Sequence, residues 1–336
     1  VKARVKAHAL RTIMENHEKI LVMGHSIPDI DALGAAIGLV CAGRSIKKQV
    51  KVVVNDPQPV IRQVMQEYTE NLANGTNIFV NSKEALEMAD ATTCVIVVDT
   101  NRPSYTECPE LLDKAETIVV IDHHRQNREI IEGADLNYVE PYASSACEMV
   151  AEILQYFDEA IKLKPIESNA LYSGIIIDTD NFKTRTGVRT FEAAAFLRRN
   201  GADLNKVRKV FRETMDDYRL QAKIIAGAEI FENAYVISEC PTDGSTSPTV
   251  VSSQAANQLL NVVGVKASFV LSLYHDQIYI SARAIDEVNV QLIMERLGGG
   301  GHLNVAGAQL KDMTIEEAKA LLKETIKEMK EEGEIA

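Results

Sequence analysis

The sequence predicts an α/β protein with a parallel sheet in an N-terminal domain and a mixed sheet in a smaller C-terminal α/β domain. Four short apolar runs, partly β-branched, alternate with helical stretches in the first part of the chain, at 19–24, 49–55, 93–98 and 117–121. Their apolar character is continuous rather than alternating, which indicates strands buried on both faces of a parallel, Rossmann-like sheet. Later strand-like segments follow one another at the spacing of antiparallel hairpins, which favours a mixed sheet.

Helices are expected around the first four strands. The helical segments, with one minor strand at 78–80, are 1–18, 31–43, 60–73 and 144–161. Residues 168–177 are apolar and end in β-branched residues, so both a helix and a strand fit that stretch.

The second half of the chain begins with a strongly helical pattern over 188–232, interrupted at Gly201-Ala202-Asp203. Strand-like segments follow at 234–238, 248–252, 268–274 and 277–284, with a tight turn at Asp276-Gln277. A helix at 289–297 ends at Gly298, and a last helix at 314–332 opens with the capping-box pair Thr314 and Glu317. We therefore predict an N-terminal domain at 1–187, a helical linker at 188–232 and a C-terminal domain at 233–336, with a cleft between the two domains.

Composition excludes some classes of function. The 336 residues carry a net charge of −12, which disfavours long nucleic acid held on a broad basic surface. A small phosphate ligand stays compatible with this charge, because bound cations reverse the local field. The five cysteines are odd in number and never form C-x-x-C, so a disulfide framework and a zinc finger are not expected and a reducing compartment is.

Membrane attachment is expected only through segments absent from this sequence. No apolar run approaches the length that spans a bilayer, and no signal peptide is predicted. The sequence starts at Val1 rather than Met and enters a predicted helix at once, which is typical of a fragment of a longer protein.

A polar elbow after the first strand carries the first candidate ligands. His25, Asp29 and Asp31 form the pattern H-x-x-x-D-x-D between the strand and the next helix. In open α/β sheets, ligands bind in the crevice beyond the carboxyl ends of the strands. The alternative is that Pro28-Asp29 only makes a turn and Asp31 only caps the helix.

Three more clusters stand at the ends of predicted elements: Asp99, Asp122-His123-His124 and Asp178. Carboxylates that converge repel one another, by about 4 kcal/mol for a pair 4 Å apart at an effective dielectric of 20. Two divalent cations offset this charge, and a shared ligand holds two such cations about 3.5–4 Å apart. Mixed imidazole and carboxylate donors favour Mn²⁺ over Mg²⁺, and zinc, cobalt and iron also accept them. A structural domain with coincidental carboxylates is the alternative.

The glycine run Gly298–Gly301, followed by His302, is the candidate substrate site together with Arg283. No Lys-Ser/Thr pair follows the run, so it is not a P-loop. Its bare backbone lets the amides at Gly299, Gly300 and Gly301 approach a phosphate or a nucleobase. A helix C-cap with spare glycines is the alternative. Arg283 has two possible roles: its guanidinium could donate hydrogen bonds to a phosphate oxygen of the substrate, or it could form an ion pair on the surface.

As a set, these motifs resemble those of the DHH phosphoesterase superfamily. The elbow, Asp99, Asp122-His123-His124 and Asp178-Thr179 are similar to its successive motifs, and Ser281-Ala282-Arg283 with the glycine run resembles the DHH-associated C-terminal domain. The stretch 178–203 resembles one branch, the catalytic part of membrane-anchored cyclic-di-AMP phosphodiesterases of Gram-positive bacteria. Ser26-Ile27 departs from the pattern, since relatives often have a basic residue or Asn there, but it changes no presumed ligand.

The resemblance implies specific roles for these side chains. One Mn²⁺ would be held by His25, Asp29 and Asp99, and the second by Asp31, Asp99, His123 and Asp178, so that Asp99 bridges the two ions. His124 would face the substrate, and Asp122 would orient His123 through its free ring nitrogen, unless it is a plain turn residue.

The resemblance also implies an activity, in which water activated between the two ions opens cyclic di-AMP to linear pApA, with Asp99 and His124 as catalytic residues. The protein would be a homodimer through its second domain and a cytoplasmic part of a membrane-anchored protein. The alternatives are an oligoribonuclease, a pAp phosphatase or a pyrophosphatase of the same superfamily, or a nucleotide sensor without turnover.

Overall fold

The computed structural model describes residues 2–71, 77–126, 129–241, 248–285 and 287–335. The chain divides into two compact units, Val1–Arg212 and Glu213–Ala336. Each unit contains one six-stranded sheet.

The first unit is built on a parallel sheet, as predicted. Its strands are β1 (Lys19–Met23), β2 (Val50–Val53), β3 (Phe79–Val80), β4 (Thr93–Val98), β5 (Thr117–Asp122) and β6 (Leu136–Val139). They are hydrogen-bonded in the order β3-β2-β1-β4-β5-β6, and all pairs are parallel. The order reverses between β1 and β4, so the chain leaves these neighbouring strands in opposite directions and opens a crevice at their carboxyl ends.

Helices cover both faces of this sheet. They are α1 (Lys2–Glu15), α2 (Ile30–Ser45), α3 (Pro59–Glu70), α4 (Ser82–Met88), α5 (Glu110–Lys114), α6 (Ala146–Phe157), α7 (Pro165–Asp178), α8 (Val188–Arg199) and α9 (Leu204–Val210). One core joins α1, α2, α6 and α7 to one face of the strands, where Val22 and Ile96 point. A smaller core under α4 and α5 takes the alternate residues Leu21 and Val95. Burial on both faces explains the continuous apolar runs of β1 and β4.

The structure decides the stretch that the sequence left open, because residues 168–177 lie in helix α7. Pro165 occupies the first turn of this helix, where its missing N–H costs no hydrogen bond. The predicted helix at 60–73 is α3, and its residues 72 and 73 lie outside the described residues. The short elements α4, α5 and β6 were not predicted.

The second unit carries a mixed sheet, as predicted. Its elements are α10 (Met215–Ala226), β7 (Glu229–Phe231), β8 (Tyr235–Glu239), α11 (Pro248–Leu259), β9 (Ala267–Tyr274), β10 (Gln277–Ala284), α12 (Val290–Arg296), β11 (Gly300–Gly301), β12 (Val305–Leu310) and α13 (Ile315–Glu331). The order is β11-β12-β10-β9-β8-β7, and β8–β9 is the parallel pair in an otherwise antiparallel sheet. The capping box of Thr314 and Glu317 opens α13, as predicted.

Two predictions in this unit are wrong. The strand expected at 248–252 is the start of helix α11, whose residues Val251, Ala255 and Leu259 are buried at helical spacing. The helical pattern expected up to residue 232 ends earlier, because Glu229–Phe231 forms β7. The β9–β10 turn lies at His275-Asp276, one residue before the predicted position, and both residues take the positive φ of a type I′ hairpin.

The helical region 188–232 is divided between the units: α8 and α9 belong to the first, and α10 belongs to the second. The predicted break at Gly201-Ala202-Asp203 separates α8 from α9. All five cysteines are buried, and no disulfide links any two of them in the part of the chain that the structure describes. Among the described helices, none combines the length and the apolar character needed to cross a bilayer.

Close packing of α2 against α6 and α7 makes Gly34 sensitive to substitution. A Cβ at this position would lie 2.6 Å from the carbonyl oxygen of Ala170 and 2.7 Å from the Sγ atom of Cys147. We expect Gly34→Ala to lower the free energy of unfolding by about 1–3 kcal/mol through overpacking. Gly227→Ala is the control, because a Cβ there would come no closer than 3.4 Å to another residue. Denaturant unfolding followed by circular dichroism measures both, and equal stability of the two variants would contradict the packing argument.

Candidate metal centre and substrate site

His25 and Asp29 lie in the crevice after β1. The Oδ1 atom of Asp29 accepts a hydrogen bond from the Ala32 amide at 2.9 Å and caps α2. Its Oδ2 atom lies 3.5 Å from Nε2 of His25. Asp29 therefore caps the helix with one carboxylate oxygen and presents the other to the candidate metal site, although the sequence offered these two roles as alternatives at this elbow. The capping residue is Asp29, not Asp31 as the sequence alternative had it.

Asp31 lies in the first turn of α2 and is fully buried. Its two carboxylate oxygens accept hydrogen bonds from consecutive amides at the start of α6, from Ala146 at 2.7 Å and from Cys147 at 2.8 Å. These bonds and the positive end of the helix dipole fix the carboxylate. Its Oδ2 atom lies 3.7 Å from Nε2 of His123.

Asp99 stands between two imidazoles. It follows β4 with a φ of +60°, in the left-handed region that Asp tolerates better than most residues. Its Oδ2 atom lies 3.3 Å from Nε2 of His25, and its Oδ1 atom lies 3.1 Å from Nε2 of His123. One carboxylate thus presents one oxygen to each side of the crevice.

The last predicted ligand comes from the end of α7. The Oδ2 atom of Asp178 lies 3.3 Å from Nε2 of His123 and 3.7 Å from the guanidinium of Arg185. Arg185 also donates a hydrogen bond to the main-chain oxygen of Asp178 at 3.0 Å.

All six side chains predicted as metal ligands come together. Together with those of His124, their donor atoms form three overlapping groups, each within 4.8 Å: His25, Asp29 and Asp99; Asp31, His123 and Asp178; Asp99, His123 and His124. Carboxylate oxygens and imidazole nitrogens at this spacing fit a divalent cation. The residues therefore include groups that could hold a metal.

His124 is held by an aspartate and an asparagine. Its Nδ1 atom lies 2.8 Å from Oδ1 of Asp122, and Asn101 donates a hydrogen bond to the other oxygen of Asp122. The expectation that Asp122 orients His123 is therefore wrong, because its carboxylate is bonded to the next histidine. The His124 side chain is 44% exposed, whereas that of His123 is 2% exposed.

The carboxylates of the crevice place several negative charges close together, and these charges shift the pKa values of the side chains around them. Burial, with the neighbouring Asp99 charge, raises the pKa of Asp31 to about 7, and burial likewise raises the pKa of Asp178 well above its usual value. Burial lowers the pKa of the histidines, but the surrounding carboxylates outweigh it and raise the pKa of His25 to about 10 and that of His123 to about 9. Protons thus bind where a divalent cation would supply the same positive charge.

A buried network supports the start of α6, which holds Asp31. The carboxylate of Glu148 on α6 accepts hydrogen bonds from the hydroxyl of Ser144 at 2.5 Å and from that of Thr190 on α8 at 2.6 Å. Arg189, next to Thr190, forms two hydrogen bonds to Glu152, at 2.7 and 2.6 Å. The stretch around 189–190 is therefore tied to the helix whose amides bind the candidate ligand Asp31.

The second unit contains a cavity of about 730 Å³ beside the glycine run. Its lining includes the predicted residues Arg283, Gly299 and Gly300, while Gly301 and His302 are not among the described lining residues. Ser281 of β10, which belongs to the motif Ser281-Ala282-Arg283 noted in the sequence, also lines the cavity, and Thr249 and Ser253 of α11 and Lys311 add hydroxyl and amino groups that the sequence analysis missed. Arg283 donates a hydrogen bond to the main-chain oxygen of Ala282 at 2.9 Å.

The glycine run combines both interpretations offered by the sequence. Gly298 takes a φ of +76° where α12 ends, as a helix C-cap does. A Cβ at Gly299 would lie 2.1 Å from the main-chain oxygen of Gly307, so this glycine allows close packing on β12. At Gly300, by contrast, a Cβ would meet nothing within 4 Å, and this residue faces the cavity.

Several residues of the site were missed by sequence reasoning. Asn101 carried a signal, because it lies two residues after Asp99 at the end of β4. The amides of Ala146 and Cys147 also had a signal, since Ser145 is a typical N-cap for α6. No local signal connected Thr190 with Glu148, which are 42 residues apart.

Comparison with known proteins identifies both parts of the chain. Residues 19–175 match the DHH family, N-terminal domain, and residues 232–331 match the DHHA1 domain. The chain therefore contains a DHH domain and a DHHA1 domain. Its DHH domain carries the candidate metal centre, and its DHHA1 domain carries the cavity beside the glycine run.

Two relatives are the cyclic-di-AMP phosphodiesterase GdpP of Geobacillus thermodenitrificans, 44% identical over 335 residues, and that of Bacillus subtilis, 40% identical over 341 residues. Each match covers 99% of this chain and 51% of the relative, so the chain spans about half the length of the curated relatives it matches. The crystal structure of an exopolyphosphatase-related protein from Bacteroides fragilis superposes with a TM-score of 0.80 at 20% identity, covering 97% of this chain and 96% of that one. This likeness supports the fold.

Proton binding in the crevice predicts an unusual pH dependence of stability for the chelated protein. The pKa values of His25 and His123 lie at about 10 and 9, above the ordinary value of 6.5 in an unfolded chain. Their contribution to stability is complete below pH 6.5 and is lost as pH rises through 9 to 10. We therefore expect the Tm measured with chelator to fall as pH rises above 6.5. His25→Gln should flatten the slope, and a Tm that rises over this range would contradict the electrostatic argument.

The network beneath Asp31 predicts that the Thr190 hydroxyl supports metal binding. Thr190→Val removes one donor to the buried Glu148 carboxylate, so we expect a loss of about 1–3 kcal/mol in stability. Metal affinity should fall by about tenfold, the lower end of the range for residues that support a ligand. Thr190→Ser keeps the hydroxyl and is the matched control. Thermal unfolding and titration with Mn²⁺ measure the two effects, and unchanged affinity in Thr190→Val would separate this network from the metal site.

Proposed function

We propose that the chain hydrolyses cyclic di-AMP to linear pApA at a centre of two divalent cations. The observation that carries the proposal is the position of Asp99, whose two oxygens lie 3.3 and 3.1 Å from imidazoles of two different donor groups. A carboxylate in this position suits a ligand shared by two ions.

The curated names of the relatives support the choice of substrate. Relatives named as cyclic-di-AMP phosphodiesterases match 99% of this chain at 44% and 40% identity. The match covers about half of each relative, and we propose that this half carries the phosphodiesterase activity for which the relatives are named.

The proposed ligands fall into two sets. His25, Asp29 and Asp99 hold one cation, and Asp31, Asp99, His123 and Asp178 hold the other. Imidazole together with carboxylate donors suits Mn²⁺ better than Mg²⁺. When bound, the cations activate water as the nucleophile and compensate the charge of the phosphoryl oxygens.

His124 is proposed to act on the substrate itself. The carboxylate of Asp122 holds its Nδ1 atom at 2.8 Å, and the side chain is 44% exposed. The Nε2 side of the ring is thus left for the phosphodiester, where it contacts a phosphoryl oxygen or assists the leaving oxygen.

The DHHA1 domain is proposed to bind the nucleotide. Arg283 offers a guanidinium to a phosphate, and the main chain at Gly299 and Gly300 lets a phosphate or base approach closely. Gly301 pairs with Ala306 in β11–β12, and His302 begins the turn that returns to β12, so both stand at the edge of this site.

The proposal includes the setting of the enzyme. The chain acts as a homodimer through its second unit, and it forms a cytoplasmic part of a membrane-anchored protein. Light scattering of the purified chain tests the dimer, and a monomeric mass at micromolar concentration would overturn that part.

Product analysis tests the reaction. The chain is incubated with Mn²⁺ and, in parallel, with cyclic di-AMP, pApA, pAp or pyrophosphate, and a chelator is added in control reactions. The proposal expects pApA from cyclic di-AMP as the fastest conversion, abolished by the chelator. Faster turnover of pApA or pAp would instead support an oligoribonuclease or pAp phosphatase, and binding without product would support a sensor.

Asp99→Asn should abolish metal-dependent hydrolysis while leaving the shape of the side chain. Removal of this charge affects both cation sites, so we expect the rate to fall by more than about 100-fold, beyond the loss typical for residues that merely support a ligand. Asp180→Asn is the matched control, because Asp180 is bonded to Lys183 rather than to the crevice residues. Full activity of the Asp99 variant in saturating Mn²⁺ would sink the mechanism.

A further inference from the structure

A basic surface stands out on a chain that is otherwise strongly acidic. Its cations, which we call the basic surface, come from residues 198–212: Arg198, Arg199, Lys206, Arg208, Lys209 and Arg212. With Asp203 as the single acidic residue, this stretch carries a charge of +5. The rest of the chain therefore carries −17, since the total is −12.

These cations face solvent. All six residues are exposed, and none forms an ion pair within the part of the chain that the structure describes. On α9, Val207 is buried against the core, and the outer sides carry Lys206, Arg208 and Lys209. Clustered like charges repel one another, so the surface is not explained by the stability of the fold.

The basic surface is also separate from the metal centre. The chain between α8 and α9 is fixed to the first turns of α7, where Ser168 donates a hydrogen bond to the Asn200 main-chain oxygen at 2.9 Å and Asn169 accepts one from the Asp203 amide at 2.7 Å. The candidate ligand Asp178 lies at the other end of α7. Nine residues of helix separate Asn169 from Asp178, which is about 13 Å along the axis. The substrate of the metal centre therefore does not account for these cations.

We propose that the basic surface binds the headgroups of an anionic lipid bilayer. The outer side of α9 offers cations on a convex helix, with Leu204 beside them 46% exposed, and basic residues next to an exposed apolar side chain are typical of helices that lie on membranes. The aromatic residue of this stretch, Phe211, packs against the core, so it is not presented for stacking on nucleic acid bases.

Sedimentation with vesicles tests the proposal on the chain as it stands. Vesicles of equal parts phosphatidylglycerol and phosphatidylcholine are compared with vesicles of phosphatidylcholine alone, at salt concentrations of about 0.05 and 0.3 M, because added salt screens surface charges. We expect binding to the anionic vesicles alone, weakened at the higher salt. Each Lys or Arg near such a surface is worth roughly fivefold in affinity, so Lys206→Glu/Arg208→Glu/Lys209→Glu should weaken binding by about 100-fold or more.

The control variant changes the net charge equally at another place. Lys47→Glu/Arg62→Glu/Lys83→Glu alters three exposed cations of the same unit outside the basic surface, and it should keep binding within a few-fold of the unmodified chain. Equal loss in both variants would overturn the proposal, because net charge alone would then explain binding. Failure of the unmodified chain to bind anionic vesicles at low salt would overturn it too, as would tight binding of polyuridylate through the same three residues with no binding to vesicles.

Discussion

Three carboxylates packed around one buried imidazole are the constraint on which the first unit depends. Asp31, Asp99 and Asp178 all approach Nε2 of His123, and none of them can move away. Asp31 is held by amides of α6, Asp99 follows a strand in the centre of the sheet, and Asp178 ends a packed helix. The fold therefore builds negative charge into a region of low dielectric, and positive charge must come from protons or from cations.

The strands of the first unit were predictable because they are buried on both faces. In β4, all six residues from Thr93 to Val98 are buried, and a continuous apolar run is the direct result. The edge strand β6 alternates buried and exposed residues over four positions, which is too short for a clear pattern. In α11, the β-branched pair Val250-Val251 is locally typical of a strand. The segment is a helix because Ala255 and Leu259, one and two turns after Val251, are buried on the same face.

The ligands of the candidate metal centre were predictable for a topological reason. Parallel strands all end at one edge of the sheet, so polar residues after β1, β4 and β5 were expected to converge, and they do. Their supporting contacts depend on tertiary structure. The hydrogen bond from the Cys147 amide to Asp31 joins residues 116 positions apart. Asp122 bonds to His124 rather than to His123 because of the conformation of a single turn.

The order of the ligands along the chain has a consequence for biosynthesis. A nascent chain leaves the ribosome with His25 first and Asp178 last, and N-terminal segments fold as synthesis proceeds. Until α6 has been made, Asp31 lacks the amides that fix it, and until α7 has been made, the second donor group lacks Asp178. The second candidate donor group is therefore complete only after α7 has been translated, whereas the first group is complete once Asp99 has been added.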